Sequence, residues 1–164
     1  MNVVATSSRP ESLSWVQRMG ADDVINHRLP LDTQLSDLHF SPRYVACLNQ
    51  ASSHFKPILK SISPFGHVAI IDEAVNIDTS LFKQKSVSLS WEYVFTKSLY
   101  QTSDILTQGE FLDLIASLID RQIIHSITGR RFEYMNPVNL QIAHELQLSG
   151  HSIGKTVLGP WCAS

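Results

Sequence analysis

This 164-residue sequence has few cysteines and only a small net charge. It holds two cysteines, Cys47 and Cys162, which are too few for a disulfide framework. The 13 basic residues nearly balance the 15 acidic residues, and the formal net charge of −2 lacks the basic character of a nucleic-acid-binding domain. We therefore expect a reducing, cytoplasmic location and no nucleic-acid partner.

Long apolar runs are also missing. No stretch approaches the ~20 residues of a transmembrane helix, and the N-terminus lacks a basic segment followed by an apolar core, so we expect neither a membrane anchor nor a signal peptide. Apolar residues nonetheless make up 43% of the chain and charged residues 17%, which is not a disordered composition. At this length the chain can form one sizeable core.

Motifs for metal binding and for common catalytic sites are absent from the sequence as well. The seven histidines form neither H-x-x-x-H nor H-E-x-x-H, and no cysteine cluster accompanies them, so we expect no metal site. The seven glycines contain no G-x-G-x-x-G, and neither a P-loop nor G-x-S-x-G occurs. The adjacent acids Asp72 and Glu73 have no histidine or cysteine partner at ligand spacing, and we interpret them as solvated rather than catalytic.

A strand–helix–strand unit is predicted near the N-terminus. The apolar run at residues 3–5 predicts a buried strand. Ser8 and Glu11 fit a capping box at the start of a helix, and Gly20 fits the C-terminal cap of that helix. A second strand is predicted at residues 23–26, and the short connections imply parallel strands joined by a right-handed crossover.

The polar turn after the first strand is a candidate cofactor site. In dinucleotide-binding sheets a carboxylate at this position selects NAD, whereas its absence, with an arginine nearby, suits the 2′-phosphate of NADP. Here Ser7, Ser8 and Arg9 follow the strand, and no carboxylate comes before Glu11. Hydroxyl groups, a helix N-terminus and a guanidinium together make a phosphate site. The alternative, that Ser8 only caps the helix and Arg9 is solvated, stays open.

Strands and helices alternate along the rest of the chain. Strands are predicted at residues 43–48, 67–71, 86–91, 123–128 and 154–158, and helices at residues 30–38, 51–61 and 108–121 and from residue 136. Residues 78–85 are interpreted as a polar connection that carries Leu81 and Phe82. This alternation predicts an α/β fold with mostly parallel strands.

Several segments, taken in order, resemble the medium-chain dehydrogenase/reductase superfamily. They are ATSSRPESLSWVQRMGADDVINHR, HVAIID, LFKQKSVSLSWEYVFTKS, LIDRQII, NLQIAHELQLSG and GKTVL. More narrowly, the chain resembles the zinc-independent, quinone-oxidoreductase-like branch that is often labelled zinc-type alcohol dehydrogenase-like protein. The resemblance implies a Rossmann-like, doubly wound sheet and an NADPH-dependent reductase of quinones, enones or related carbonyls.

One departure from the family pattern concerns the start of the cofactor domain. The family has a first strand and a glycine-rich turn before the strand that begins here at Asn2, and a substrate domain further upstream. We therefore interpret the chain as a C-terminal portion, with a partial NADP-binding domain at residues 1–120 and a segment at residues 121–164 that returns to the catalytic domain. The sheet would then lack its central strand, and we expect two half-sheets and a truncated form that is inactive alone, unless the half-sheets close on each other or a partner strand fills the gap.

The resemblance also implies positions for cofactor-binding residues. It puts His27 beside the adenosine phosphate, with a surface loop histidine as the alternative. It puts Asn49 near the nicotinamide ribose, with capping of the following helix as the alternative, and it sets the backbone of Ile71 and Asp72 beside the nicotinamide ring. Lys155 is placed either near the cofactor or simply at a sheet end. No catalytic residue is assigned.

The resemblance implies a homodimer as well. In the family, the strand that matches residues 86–91 is the last of the cofactor sheet and pairs with its twin in a second subunit. Tyr93, just beyond it, is a candidate proton donor, but a packed or interfacial aromatic is the favoured interpretation. The alternative function is a non-catalytic dimerisation or interaction module that uses this strand.

Overall fold

The computed structural model describes residues 1–73, 78 and 80–161, in which helices and strands alternate. The elements are β1 (Val4–Thr6), α1 (Pro10–Arg18), β2 (Asp23–Ile25), α2 (Leu31–Asp37), β3 (Tyr44–Cys47), α3 (Ala51–Ser61), β4 (His67–Ile70), α4 (Ser80–Lys85), β5 (Ser88–Trp91), α5 (Thr96–Leu99), α6 (Thr107–Asp120), β6 (Thr128–Phe132), α7 (Pro137–Leu148) and β7 (Lys155–Leu158). None of the helices among these residues is long and apolar enough to cross a membrane. Cys162 lies outside the described residues.

The strands form three separate sheets, ordered β1–β2, β3–β4–β5 and β6–β7. Every pairing between these named strands is parallel, which confirms the α/β fold class predicted from the sequence. Within the described residues β1 and β3 belong to different sheets, as expected for a doubly wound sheet without its central strand. In this part of the chain, therefore, no strand pairing closes the two half-sheets on each other.

The chain divides into two compact units. The first unit contains the described residues of Met1–Arg9 and Asp22–Ile105, and the second contains Pro10–Ala21 and the described part of Leu106–Ser164. Helix α1 belongs to the second unit, although the two strands that it connects belong to the first. The predicted boundary at residue 120, between a cofactor domain and a returning segment, stays a prediction.

The main core of the first unit lies between α3 and the β3–β4–β5 sheet. Its buried residues are Cys47, Ala51, Phe55, Ile58, Leu59, Ile62, Val68, Ile70 and Phe82. The strand residues alternate between faces, so Val68 and Ile70 point into this core, while α3 contributes apolar residues at helical spacing. A smaller cluster of Ile25, Leu31 and Leu35 joins β2 to α2.

The predicted polar connection at residues 78–85 is wrong, because its second part folds as helix α4. Phe82 is only 6% exposed, and its ring lies 5.6 Å from the ring of Phe55. The Lys85 ammonium also donates to three carbonyl groups at the end of α3. These contacts with α3 stabilise a short helix that its own polar sequence does not predict.

The second unit contains α1, α6, α7 and the β6–β7 pair. The strand predicted at residues 123–128 is wrong: β6 begins at Thr128 and pairs with Lys155 at the start of β7. Ile123 and Ile127 are 56% and 54% exposed, so apolar character alone misplaced this strand. The predicted α7 start is confirmed, because the Asn136 side chain accepts a 2.8 Å hydrogen bond from the Asn139 N–H.

Candidate functional site

The predicted phosphate turn lies at the carboxyl ends of β1 and β2. The register pairs Thr6 with Ile25, so both strands end at the same edge. The Ser7 N–H donates to the Ile25 carbonyl at 2.9 Å, and the Ser7 hydroxyl donates to the Arg9 carbonyl at 3.2 Å. Ser7 is buried, at 6% exposure, whereas Ser8 and Arg9 are half-buried. Ser7 therefore holds the backbone of the turn and is itself shielded from solvent.

The helix after this turn begins slightly later than its capping pattern predicts. A cap at Ser8 implies a first helical residue at position 9, but α1 begins at Pro10. Proline suits this position because its missing N–H has no partner in the first helical turn. Ser7, Ser8 and Arg9, which carry the hydroxyl and guanidinium groups of the predicted phosphate site, thus all precede the helix.

A cleft of about 550 Å³ opens next to β2 in the first unit. One wall is the segment that follows β2, and the other wall is the beginning of α3. The lining residues are His27, Arg28, Leu29, Pro30, Leu31, Gln50, Ser53, His54 and Pro57. Its volume falls in the range of small-molecule and cofactor pockets. The cleft lies where two successive strands, β2 and β3, run into their following segments.

The ionisable side chains among the described residues that line this cleft are basic. The His27 and His54 rings meet edge to face, with their centroids 6.3 Å apart. Burial lowers the pKa of His27, and the charges of His54 and Arg28 lower it further. Among the described residues that line the cleft none carries a carboxylate, and Leu29 and Pro57 add apolar surface. The cleft is thus suited to an anionic ligand that has an apolar or planar part.

The other predicted cofactor residues lie at the carboxyl ends of β3 and β4. Asn49 is exposed in the segment after β3, and the Ile71 N–H donates to the Cys47 carbonyl at 3.3 Å. One carboxylate oxygen of Asp72 accepts a 2.9 Å hydrogen bond from the Ala51 N–H, and the other is buried with no hydrogen-bond partner among the described residues. Burial and the Asp72 charge raise the pKa of the Cys47 thiol.

Asn49 does not cap α3, so the alternative interpretation of this residue is wrong. The N-cap position is Gln50, whose backbone is left-handed at φ +52° and whose side chain makes no capping hydrogen bond. The Asp72 carboxylate provides the cap from the end of the neighbouring strand. Asp72 was also interpreted as solvated, but it is half-buried and bonded to α3.

The predicted site residues fall into three groups. Ser7, Ser8 and Arg9 lie at the edge of the β1–β2 pair, where the Ser7 N–H bonds to the carbonyl of Ile25, two residues before His27. The residues after β3 and β4 form a second group in the same unit. Lys155 is an exposed residue at the start of β7 in the second unit. The cofactor roles of all these residues stay predictions.

Sequence reasoning missed the wall of the cleft that α3 provides. Gln50, Ser53 and His54 line the cleft, although no motif in the sequence marks them. The α3 helix was predicted at residues 51–61, which is where it lies, and the end of a parallel strand is where ligands bind in open α/β sheets. The predicted helix start, directly after the end of a parallel strand, was therefore the signal that could have marked Gln50, Ser53 and His54 as candidate site residues.

The described residues contain no group of three or more histidine, cysteine, aspartate or glutamate side chains placed to hold a metal ion. The fold and the cleft define a class instead: an α/β protein with parallel strands, whose helices and strand ends form a basic cleft of cofactor size. Comparison with known proteins makes this class more specific.

No protein-family model matches the chain. A zinc-type alcohol dehydrogenase-like protein of Staphylococcus aureus strain COL is 32% identical over 160 residues, which is 96% of this chain and 47% of that relative. The relative of Staphylococcus epidermidis strain ATCC 12228 is 30% identical over 161 residues, with 96% of this chain and 48% of the relative covered. The chain therefore spans about half the length of the curated relatives it matches.

Solved structures that resemble this chain also include alcohol dehydrogenases, and the chain again covers about half of each. A protein of Rhizobium etli CFN 42, described as a zinc-dependent alcohol dehydrogenase, superposes with a TM-score of 0.90 at 34% identity, over 99% of this chain and 48% of that protein. A quinone oxidoreductase of Pseudomonas syringae and an E. coli alcohol dehydrogenase in complex with NADH share the fold, with TM-scores of 0.72 and 0.70 at 15% identity over 96% of this chain, and 49% and 44% of theirs.

These comparisons confirm the resemblance found in the sequence. The curated homologues are zinc-type alcohol dehydrogenase-like proteins, and the structural neighbours are alcohol dehydrogenases and quinone oxidoreductases of the medium-chain dehydrogenase/reductase superfamily. The chain corresponds to the C-terminal portion of such proteins. Its homologues are oxidoreductases.

Proposed function

We propose that this chain is the NADPH-binding part of a cytoplasmic oxidoreductase that reduces quinones, enones or related carbonyls. The observation that supports it best is the Ser7–Ser8–Arg9 turn at the end of β1, with no carboxylate before Glu11. The cleft beside β2 adds His27 and supports the same assignment. We propose that the rest of the site belongs to the portion of the relatives that this chain does not span.

The charge at the adenosine end of the cofactor distinguishes NADP from NAD. A 2′-phosphate carries up to two negative charges, so an aspartate or glutamate at the end of β1 would repel it. The Arg9 guanidinium can form two parallel hydrogen bonds to phosphate oxygens, and the Ser8 hydroxyl can donate a third. The buried Ser7 hydroxyl keeps the turn in shape through its bond to the Arg9 carbonyl.

The residues beyond β3 and β4 have a positioning role in this proposal. A bound nicotinamide cofactor supplies the hydride, and the protein supplies binding, orientation and exclusion of water. The backbone of Ile71 and the Asn49 side chain lie at the strand ends, where they would face the nicotinamide ribose and ring. No residue of the chain is assigned to proton transfer, so we propose that the chain alone is catalytically inactive.

Fluorescence titration with NADPH tests the cofactor assignment. We expect saturable binding, weaker binding of NADH, and a loss of at least about tenfold in affinity for NADPH in Arg9→Ala, which is about 1.4 kcal/mol. Arg121→Ala, an exposed arginine at the end of α6, is the matched control and should bind like the native chain. Equal affinities for NADPH and NADH in the native chain would refute the 2′-phosphate assignment.

A second candidate function is a homodimerisation module built on residues 86–91. Among the described residues β5 pairs with β4 alone, so one edge of β5 has open backbone groups, and Trp91 is 58% exposed. Two copies of this edge can pair about a twofold axis. The N–H groups of Ser88 and Glu92 bond toward β4, so the alternation along a strand directs the Trp91 N–H to the open edge. Sedimentation measurements should show a dimer that Trp91→Pro converts to monomer, because proline removes this N–H. A monomeric native chain that still binds NADPH would leave only the first candidate.

A further inference from the structure

His54 is a half-buried histidine at the start of α3 with no role in the function proposed so far. Its ring lies 6.3 Å from the His27 ring, and both rings line the cleft beside β2. Arg28 lines the same cleft. Three side chains that can carry positive charge therefore meet on two walls of one cavity.

The acidic groups on the neighbouring elements have other partners. On α2, Asp32 forms a 3.0 Å ion pair with Lys60 of α3, and that hydrogen bond lowers the pKa of Asp32. Asp72 accepts a hydrogen bond at the N-terminus of α3. The further charged groups on these helices are Asp37 of α2 and Lys56 of α3, and neither lines the cleft.

The ionisable side chains that line the cleft in the described part of the chain are all basic, so none of them is a counter-ion to the others. A neighbouring positive charge and burial both disfavour the charged form of an imidazole. The lowered pKa of His27 has these causes: burial first, then His54, then Arg28. An anion that enters the cleft counteracts this effect, because a negative charge favours the protonated form of a nearby imidazole.

We propose that His54 and His27 form a proton-coupled anion site, which takes up a proton when the adenosine-end phosphate of a nucleotide binds. This inference rests on the proposed NADPH-binding function and adds a regulation to it. Binding of the 2′-phosphorylated nucleotide strengthens as the pH falls from 8.5 to 6.5, and His54 becomes a residue that determines cofactor preference. Histidine suits this role because its ordinary titration range lies near neutral pH.

Calorimetric titration of the full chain with 2′,5′-ADP, at pH 6.5 and pH 8.5, tests the inference. We expect binding at least about fivefold tighter at pH 6.5, the low end of typical coupling between two ligands. Titrations at pH 6.5 in two buffers that differ in ionisation enthalpy should show net proton uptake. Partial protonation of the phosphate itself, whose second pKa is about 6, weakens binding at the lower pH and so opposes the expected trend.

Variants identify the groups that take up the proton. His54→Gln and His27→Gln should each lose most of the pH dependence while circular dichroism shows a native fold. His144→Gln, which changes an exposed histidine of α7, should keep the pH dependence. With 5′-ADP, which lacks the 2′-phosphate, the pH dependence of the native chain should be smaller.

The outcomes separate the inference from the function on which it rests. Tight 2′,5′-ADP binding with equal affinity at both pH values and no proton uptake would overturn the inference and leave NADPH binding intact. A pH dependence that survives in both His54→Gln and His27→Gln would overturn it as well. Absence of binding by both 2′,5′-ADP and NADPH at either pH would overturn the proposed function together with the inference.

Discussion

The Asp72 carboxylate, at the end of β4, accepts a 2.9 Å hydrogen bond from the Ala51 N–H, which is the first N–H of helix α3. The two residues are 21 positions apart, so the helix receives its cap from a neighbouring strand. The carboxylate also lies near the positive end of the helix dipole. Asp72 therefore joins the sheet to the helix that covers it.

Removing this cap should destabilise the first unit. We expect Asp72→Ala to lower the free energy of unfolding by about 0.5–2 kcal/mol, the range for loss of a helix N-cap. Asp72→Asn, which keeps an acceptor oxygen, should lose less. Urea denaturation followed by circular dichroism measures both. Glu73→Ala, at the exposed neighbouring position, is the control, and an equal loss there would show that the Asp72 bond is not responsible.

Lys85 should matter for stability at the other end of α3. Its ammonium donates to the carbonyl groups of Leu59, Lys60 and Ile62 at 2.9, 2.7 and 2.8 Å. Hydrogen bonds from a charged group contribute about 1.5–3 kcal/mol, so Lys85→Met should lower the free energy of unfolding by about that amount. Lys83→Met, which changes an exposed lysine of the same helix, should have little effect in the same denaturation experiment.

The Asp32–Lys60 pair should make stability depend on pH in the acid range. The hydrogen bond from Lys60 is the largest cause of the lowered pKa of Asp32 in the folded chain. A carboxyl with a lowered folded pKa stabilises above its unfolded value of about 3.9, and this contribution disappears as the pH falls through the folded value. Native and Asp32→Asn chains should therefore differ in urea midpoint at pH 6 and converge near pH 2. A difference that is constant with pH would contradict this assignment.

Cys47 should react slowly in the folded chain. Its side chain is buried, at 6% exposure, and burial together with the Asp72 charge raises the pKa of its thiol. The thiolate is the reactive form, and each unit of pKa increase lowers its fraction about tenfold at a given pH. In a Cys162→Ser background, a thiol reagent at pH 8 should modify Cys47 much more slowly than in urea. Equal rates in the two conditions would show that Cys47 is accessible.

Local signals in the sequence predicted much of the fold. Helix α3 lies at the predicted residues 51–61, and Asn136 caps α7 as its position before Pro137 indicates. These features depend on residues within one or two helical turns, so a single segment contains the information for them. The ordered segments together also identified the family of the homologues, which the comparisons confirmed.

Features that depend on long-range contacts escaped sequence reasoning. Helix α4 forms where Phe82 enters a core built from β3, β4 and α3, and its own sequence reads as a polar connection. The start of β6 depends on its register with β7, a segment 27 positions further along at the Thr128–Lys155 pair. Periodicity within one segment does not encode a partner so far away.

Local sequence signals were enough for the parallel α/β class, for most of the helices and strands and for the polar turn at Ser7, Ser8 and Arg9, because apolar periodicity and turn residues act over a few positions. The tertiary structure alone decided which residues meet. It brought His54 to His27 and Asp72 to Ala51, and it kept β1 and β3 in separate sheets. Packing and strand pairing join residues that are distant in the chain, and no local pattern specifies those partners.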